Sequence, residues 1–310
     1  MPDRPPPRFN LGEFTLYAIS DGLYRLDGGA MFGTIPKVMW DKVKPPDERN
    51  RIDMCLTCLL VVRGNDHVLI EAGIGDKNSP KFNDIYGVDR ITTIDKELAK
   101  LGLGPKDINH VVLSHLHFDH AGGLTISDKS GEPVPHFPNA LHHVHMLEWE
   151  TAHHPHARNR ASYLESDWMP VNKARLAVLH DKEDFEIVPG IHGRRIGGHT
   201  PGLSIVRIDS SIPGDRGART AIFTGDLIPT GAHVPVPWIM GYDLDPTGMI
   251  DQKEKYLPIW FEEHALIVFV HEPRYPWGFI TRSDKGQYGV DPVDEGWLEP
   301  LRRVQWPTLP

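Results

Sequence analysis

Residues 110–123 read HVVLSHLHFDHAGG, an apolar run that opens directly into His115, His117, Asp119 and His120. This stretch constrains the fold more than any other. A short run of Val and Leu reads as a buried strand, and metal-capable side chains at its end need partners arriving from elsewhere. The sequence supplies them. TAIFTG (220–225) runs into Asp226, ALIVFV (265–270) runs into His271, and GRRIGG (193–198) delivers His199. Neighbouring strands of a sheet gather such ends along one edge, where α/β proteins place their sites.

The surrounding pattern supports an α/β arrangement. Cys55 to Glu71 reads as a hairpin turning at RGND. Ile91, Ile94, Leu98 and Leu101 follow helical spacing between Arg90 and Gly102, and HVVLS comes next, so a βαβ element is expected. LSIVRI (203–208) predicts a further strand. A helix is predicted from about Asp251 to His264, shortened or kinked by Pro258. The stretch from about Glu148 to Leu179 reads as helical and irregular, and SDKGQY as a hairpin turn. No internal repeat or Gly/Ser linker interrupts the chain.

Composition narrows the classes. Net charge is −9, from 33 basic and 42 acidic residues, with no basic block. That argues against a nucleic-acid partner, whose affinity rests on neutralising phosphates. No stretch approaches the roughly 20 apolar residues of a membrane span. The start, MPDRPPPRFN, has no apolar core behind a basic segment, so no signal peptide and a cytoplasmic location are expected. Cys55 and Cys58 are the only cysteines; three apart in a strand, they face opposite ways and read as inert buried thiols. Histidine, at 18 residues, is the outlier.

His115 and His117 are two apart, so in extended chain both rings point to one side, while Asp119 and His120 lie where the chain must turn. With one more histidine each and a shared carboxylate, the set makes two metal sites of nitrogen and oxygen character. These suit Zn²⁺, with iron, manganese or cobalt as other occupants. Paired metals sit roughly 3.5–4 Å apart, and water held there ionises near neutral pH, with a pKa of about 7 on zinc. The reaction class is hydrolysis.

HLHFDH resembles the H-x-H-x-D-H signature of the metallo-β-lactamase superfamily, and GGHTPG, FTGD and VFVHEP follow in that family's order, from about Cys55 to His271. The resemblance implies an α/β protein, a four-layer αβ/βα sandwich with two divalent metal ions at one edge. It implies one domain over residues 1–310, with an N-terminal extension (about 1–50) and a C-terminal tail (about 272–310). Carried over position by position, His115, His117 and His199 bind one metal, Asp119, His120 and His271 bind the other, and Asp226 bridges them. Asp119 and Asp226 are then the catalytic carboxylates around a metal-bridging hydroxide. Where many members carry Asp after the hairpin, this chain has Glu71, expected to orient a ligand from behind at one methylene greater length. His117 stands where flavo-diiron relatives carry Glu, which excludes redox chemistry of that kind.

Within the superfamily, the extended N-terminal segment, FPNALHHVHMLEWE and DKGQY look most similar to N-acyl homoserine lactonases and methyl-parathion-hydrolase-like enzymes. This implies a quorum-quenching lactonase acting on an acyl homoserine lactone or similar small-molecule lactone or ester, assembled as a homodimer. Some lactonases place a tyrosine three residues after the bridging aspartate; Pro229 stands there, with Tyr242 as the candidate substitute. Met31, Phe32, Trp238, Met240 and Trp277 are expected to wall the substrate pocket, and His233 to touch the substrate. The clusters His142, His143, His145 and His153, His154, His156 are expected to be partly exposed or to line the pocket mouth. A phosphotriesterase or arylesterase would use the same metals. A β-lactamase fits less well, as does a glyoxalase-II-like thioesterase, for which only Arg302 and Arg303 offer basic residues near the end of the chain. A metal-binding sensor without turnover is the alternative from another class.

Overall fold

A computed structural model describes residues 5–294 and 297–298; Arg302 and Arg303 lie outside the described residues. The first sheet takes β1 (Arg8–Leu11), β2 (Phe14–Asp27), β3 (Arg51–Arg63), β4 (Asp66–Ile70) and β5 (His110–Val112). A separate short hairpin follows, β6 (Thr125–Ser127) with β7 (Pro133–Pro135), before β8 (Leu141–His145) and β9 (Ala177–His180) complete the sheet in the order β1-β2-β3-β4-β5-β8-β9. The second sheet runs in chain order through β10 (Asp184–Val188), β11 (Ile191–Arg195), β12 (Ser204–Asp209), β13 (Thr220–Phe223), β14 (Leu266–Val268), β15 (Trp277–Arg282) and β16 (Tyr288–Val293).

Alternation along these strands builds the layers. Leu16, Leu59, Ile70 and Val112 of the first sheet pack against Val206, Phe223, Leu266 and Val268 of the second. The opposite face of the first sheet carries Cys58, Leu60, Leu69 and Val111, covered by helices Ile94–Lys100 and Glu165–Lys173 through Leu98, Trp168 and Val171. Helix Pro246–Glu262 covers the outer face of the second sheet. The result is the four-layer αβ/βα sandwich.

Two helices begin elsewhere than their apolar spacing suggests. The helix expected from Arg90 starts at Ile94, because Thr93 caps it by accepting from Lys96 N–H at 3.3 Å. The helix expected from Asp251 starts at Pro246, where Asp245 accepts from Gly248 N–H at 2.9 Å and Pro246 occupies the first turn. Pro258 falls inside that helix without ending it, since Met249, Lys253, Tyr256, Leu257 and Trp260 bury one continuous face. The segments read as extension and tail contribute β1, β2, β15 and β16 to the two sheets.

The parallel pairs β4–β5, β5–β8 and β13–β14 turn their carboxyl ends to one edge. The sheets join there by backbone hydrogen bonds, from Ser204 N–H to Ser114 O and from Thr57 N–H to Val270 O, each 2.9 Å. Among the described residues no helix is long and apolar enough to cross a membrane.

Candidate metal centre

Each strand end at this edge releases its chain into a tight turn that presents a side chain. After β5 the chain stays extended through His117, then enters the helical turn Phe118–Ala121, which swings Asp119 and His120 to a second point. The glycines closing this motif are steric necessities. A Cβ on Gly123 would lie 2.0 Å from Ala72 O, and one on Gly122 2.3 Å from Ile74 O, so only glycine lets this turn lie on the loop after β4.

The seven residues from distant segments converge. Metal-capable atoms of His115, His117 and His199 lie within 4.8 Å of one another, as do those of His115, His120 and Asp226, and those of Asp119, His120 and His271. His117 Nδ1 is 3.1 Å from both His115 Nε2 and His199 Nε2. A neutral imidazole carries one N–H, so these contacts cannot all be hydrogen bonds. Asp226 faces both groups. Its Oδ2 is 3.2 Å from His199 Nε2, while Oδ1 is 3.4 Å from the Nε2 atoms of His120 and His271. Oδ1 is buried and has no hydrogen-bond partner among the described residues. Nitrogens and carboxylate oxygens crowded to about 3 Å, with a buried oxygen left open, fit divalent cations bound at roughly 2.0–2.2 Å.

The outer nitrogen of most rings is anchored, which turns the inner one to the centre. His199 Nδ1 meets Asp243 Oδ1 at 2.9 Å, His271 Nδ1 meets Cys55 O at 2.9 Å, and His115 Nδ1 meets Ser114 Oγ at 3.0 Å. Behind His120, Glu71 places Oε2 3.5 Å from Nδ1 and accepts Ser114 N–H on Oε1 at 3.0 Å. Glu71 holds a left-handed φ of 68°, uncommon for a residue with a side chain. Burial and the neighbouring rings push His115 and His117 well below the ordinary imidazole value. Burial acts the same way on His120, but the carboxylates of Asp226, Asp119 and Glu71 overcome it and carry this ring well above that value. Burial would raise Asp226, yet His120 and His199 hold it well below the carboxylate range. The centre pairs open imidazole lone pairs with carboxylates that demand positive charge.

A cavity of about 320 Å³ opens onto this centre and includes Asp119, His199 and Asp226 in its wall. Of the expected wall residues, Met31, Met240 and Tyr242 line it. Phe32, Trp238 and His233 do not. The Phe32 ring is stacked at 4.7 Å on His233 and at 5.4 Å on Trp40, with Trp238 edge-on at 5.7 Å, so these rings form a layer behind Met31. His233 spends its ring on Thr230 Oγ1 at 2.8 Å and Met31 O at 2.9 Å and serves as a structural strut. Trp277 is fully buried on β15 against Phe9, with its indole N–H donating to Asp294 at 2.9 Å. His142, His143 and His145 are buried on β8, contrary to expectation, because that strand is covered on both faces. His153, at the end of helix Met146–His153, and His154 and His156, on the loop after it, do not line the cavity.

Three residues at the centre carry no sequence signal: Asp243, Tyr24 and Glu148. Tyr24, on β2, donates its phenol to Asp119 Oδ2 at 2.6 Å, and burial beside that carboxylate raises its pKa far above the ordinary value. Glu148 accepts from Leu116 N–H at 3.0 Å, Tyr163 O–H at 2.8 Å and Thr200 O–H at 2.5 Å.

The family model of the metallo-beta-lactamase superfamily matches residues 57–271. The chain belongs to this superfamily. An N-acyl homoserine lactonase from a Bacillus species is 28% identical over 176 residues, 53% of this chain and 62% of that one. The chain thus matches about three fifths of that relative's length. The N-acyl homoserine lactonase AttM of Rhizobium radiobacter is 24% identical over 266 residues, 81% of this chain and 93% of that one. Among solved structures, a probable metal-dependent hydrolase from Staphylococcus aureus superposes with a TM-score of 0.81 at 34% identity, covering 91% of this chain and 96% of that one. AidC, a dizinc quorum-quenching lactonase, shares the fold, with a TM-score of 0.73 at 22% identity over 95% of this chain and 99% of that one.

Proposed function

We propose that this protein is a dinuclear zinc lactonase that opens an acyl homoserine lactone or a similar small lactone. The observation that carries the reading is the cavity, whose wall combines Met31, Met54, Phe118 and Met240 with residues of the histidine–aspartate centre. Such a volume suits a small ester-like molecule with an apolar arm. His115, His117 and His199 would hold one cation, Asp119, His120 and His271 the other, and Asp226 both. Bound there, the cations supply an acidified water and a Lewis acid for the carbonyl. The chain's own residues do the rest. Asp226 fixes the separation of the two groups, Tyr24 pins Asp119 through its phenol, and the apolar wall excludes bulk water from the acyl arm. Tyr242 lines the cavity, which supports it as the residue that meets a substrate oxygen, a role that Pro229 cannot serve.

The test is a substrate panel on one preparation, comparing acyl homoserine lactones of several chain lengths with an aryl ester, a phosphotriester, a cephalosporin and a glutathione thioester. Lactones are expected to give the highest kcat/KM, with activity lost on chelation and restored by zinc. A tenfold preference for any other class, by the usual margin of about 1.4 kcal/mol, would overturn the lactonase reading. Glu71→Gln is expected to weaken metal retention about 10–100-fold in a chelator competition, since the charge behind His120 is removed. Unchanged retention would deny Glu71 that role.

A further inference from the structure

Between Asp226 and helix Pro246–Glu262 the chain passes through PTGAHVPVPWIMGYD, residues 229–243, which forms no strand and only the single turn Gly231–His233. Pro235 and Pro237 have no N–H, so this segment is poorly equipped to pair its own carbonyls. One side chain collects them instead. Lys253, fully buried on the helix, donates its ammonium to His233 O at 2.6 Å, Pro235 O at 2.7 Å and Trp238 O at 3.0 Å. An ammonium has three N–H donors, and all three are spent on this segment. Burial pulls Lys253 down to about 7, with the Asp243 carboxylate acting against it. Burying a cation is expensive, and here it is held by backbone carbonyls alone.

The segment so gripped sets two parts of the cavity wall. Met240 and Tyr242 line the cavity directly. His233 reaches a third lining residue, Met31, with Nε2 at 2.9 Å from Met31 O, and stacks its ring on Phe32. Gly241 N–H donates to Ala30 O at 2.8 Å and ties the same two segments a second time. Met31 and Met240 share one buried cluster with Met54 and Phe118. None of the seven residues of the histidine–aspartate centre lies between 229 and 243, and Lys253 does not line the cavity. We propose that Lys253 is a positioning residue for the apolar arm of the substrate: its ammonium gathers the segment that sets Met31 and Met240 at the cavity and so fixes the fit of the arm without touching it. The inference rests on the proposed reading of the cavity as the seat of an apolar arm, and not on the lactone ring.

The test measures kcat and KM for wild type and Lys253→Met on two series, acyl homoserine lactones and phenyl esters, each with a butanoyl and a decanoyl arm. Lys253→Met keeps the bulk and removes the three donors. It is expected to lower the decanoyl-to-butanoyl ratio of kcat/KM by about tenfold or more, the scale on which a pocket discriminates methylenes. The loss should fall on KM for the decanoyl member, with butanoyl kcat and bound metal held within about twofold, as when binding common to ground and transition state is removed. Lys253→Gln, which keeps amide donors one atom short of the ammonium, should give an intermediate ratio, and it carries the test if Lys253→Met does not fold. A residue that served stability alone would lower the melting temperature and leave the ratio unchanged, which overturns the proposal, as do equal losses on both arms or the failure of both variants to fold. Turnover of the esters without the lactones would sink the lactonase reading while the ester ratio still tests Lys253. Turnover of neither series overturns both.

Discussion

Asp226→Ala is expected to lower turnover by about 10³-fold or more and to cut bound metal to about one ion per chain or fewer. Elemental analysis and kcat/KM on one preparation check it. The size follows from position, because Asp226 alone turns an oxygen to each histidine group, Oδ2 toward His199 and Oδ1 toward His120 and His271. Without it, one group keeps only imidazole nitrogens and the other keeps Asp119. The positive charge that His120 gathers in the carboxylate field would also lose its largest source. Asp226→Asn keeps the shape and one carbonyl oxygen, so its loss should be smaller than that of alanine. If Asp226→Ala kept full metal content and speed, the two groups would not form one centre.

Asp226 was legible in the sequence because its signal is local. An apolar run ending in a carboxylate reads as a strand that delivers a candidate ligand, and the same logic finds His115 and His271, while His199 stands out through GGHTPG. The residues that hold these ligands in place are a different matter. Asp243 reaches His199 from the loop before helix Pro246–Glu262, and Tyr24 reaches Asp119 from β2, each across a separation that leaves no spacing to read. The cavity walls were misread for a related reason. Phe32, Trp238 and Trp277 lie in or beside glycine- and proline-rich segments, where a large apolar residue facing a pocket and one facing the core look alike. Only packing tells them apart, and here it stacks Phe32 between Trp40 and His233 and buries Trp277 against Phe9. On β8, His142 and His143 are neighbours and so face opposite sides of the strand, and both sides are buried.

Glu148→Leu should destabilise the fold by about 3–5 kcal/mol and release metal as well, although Glu148 is no part of the ligand set. Its buried carboxylate holds Leu116 N–H, between His115 and His117, and Thr200 O–H, next to His199. One side chain therefore gathers the segments carrying the three histidines of one group. Tyr163, whose ring packs 4.8 Å from that of His117, donates to the same carboxylate. Leucine fills the space but leaves three buried donors unpaired, each costing about 1–3 kcal/mol. Glu148→Gln retains an acceptor for Leu116 N–H, and Thr200 can rotate its hydroxyl to accept from the new amide, so the loss should fall to about a third. Denaturant melts of metal-loaded protein measure the first effect, and chelator competition on the folded variants measures the second. Stability falling without any change in metal affinity would make Glu148 a core residue only. Neither falling would mean the two histidine segments are positioned by the sheets alone.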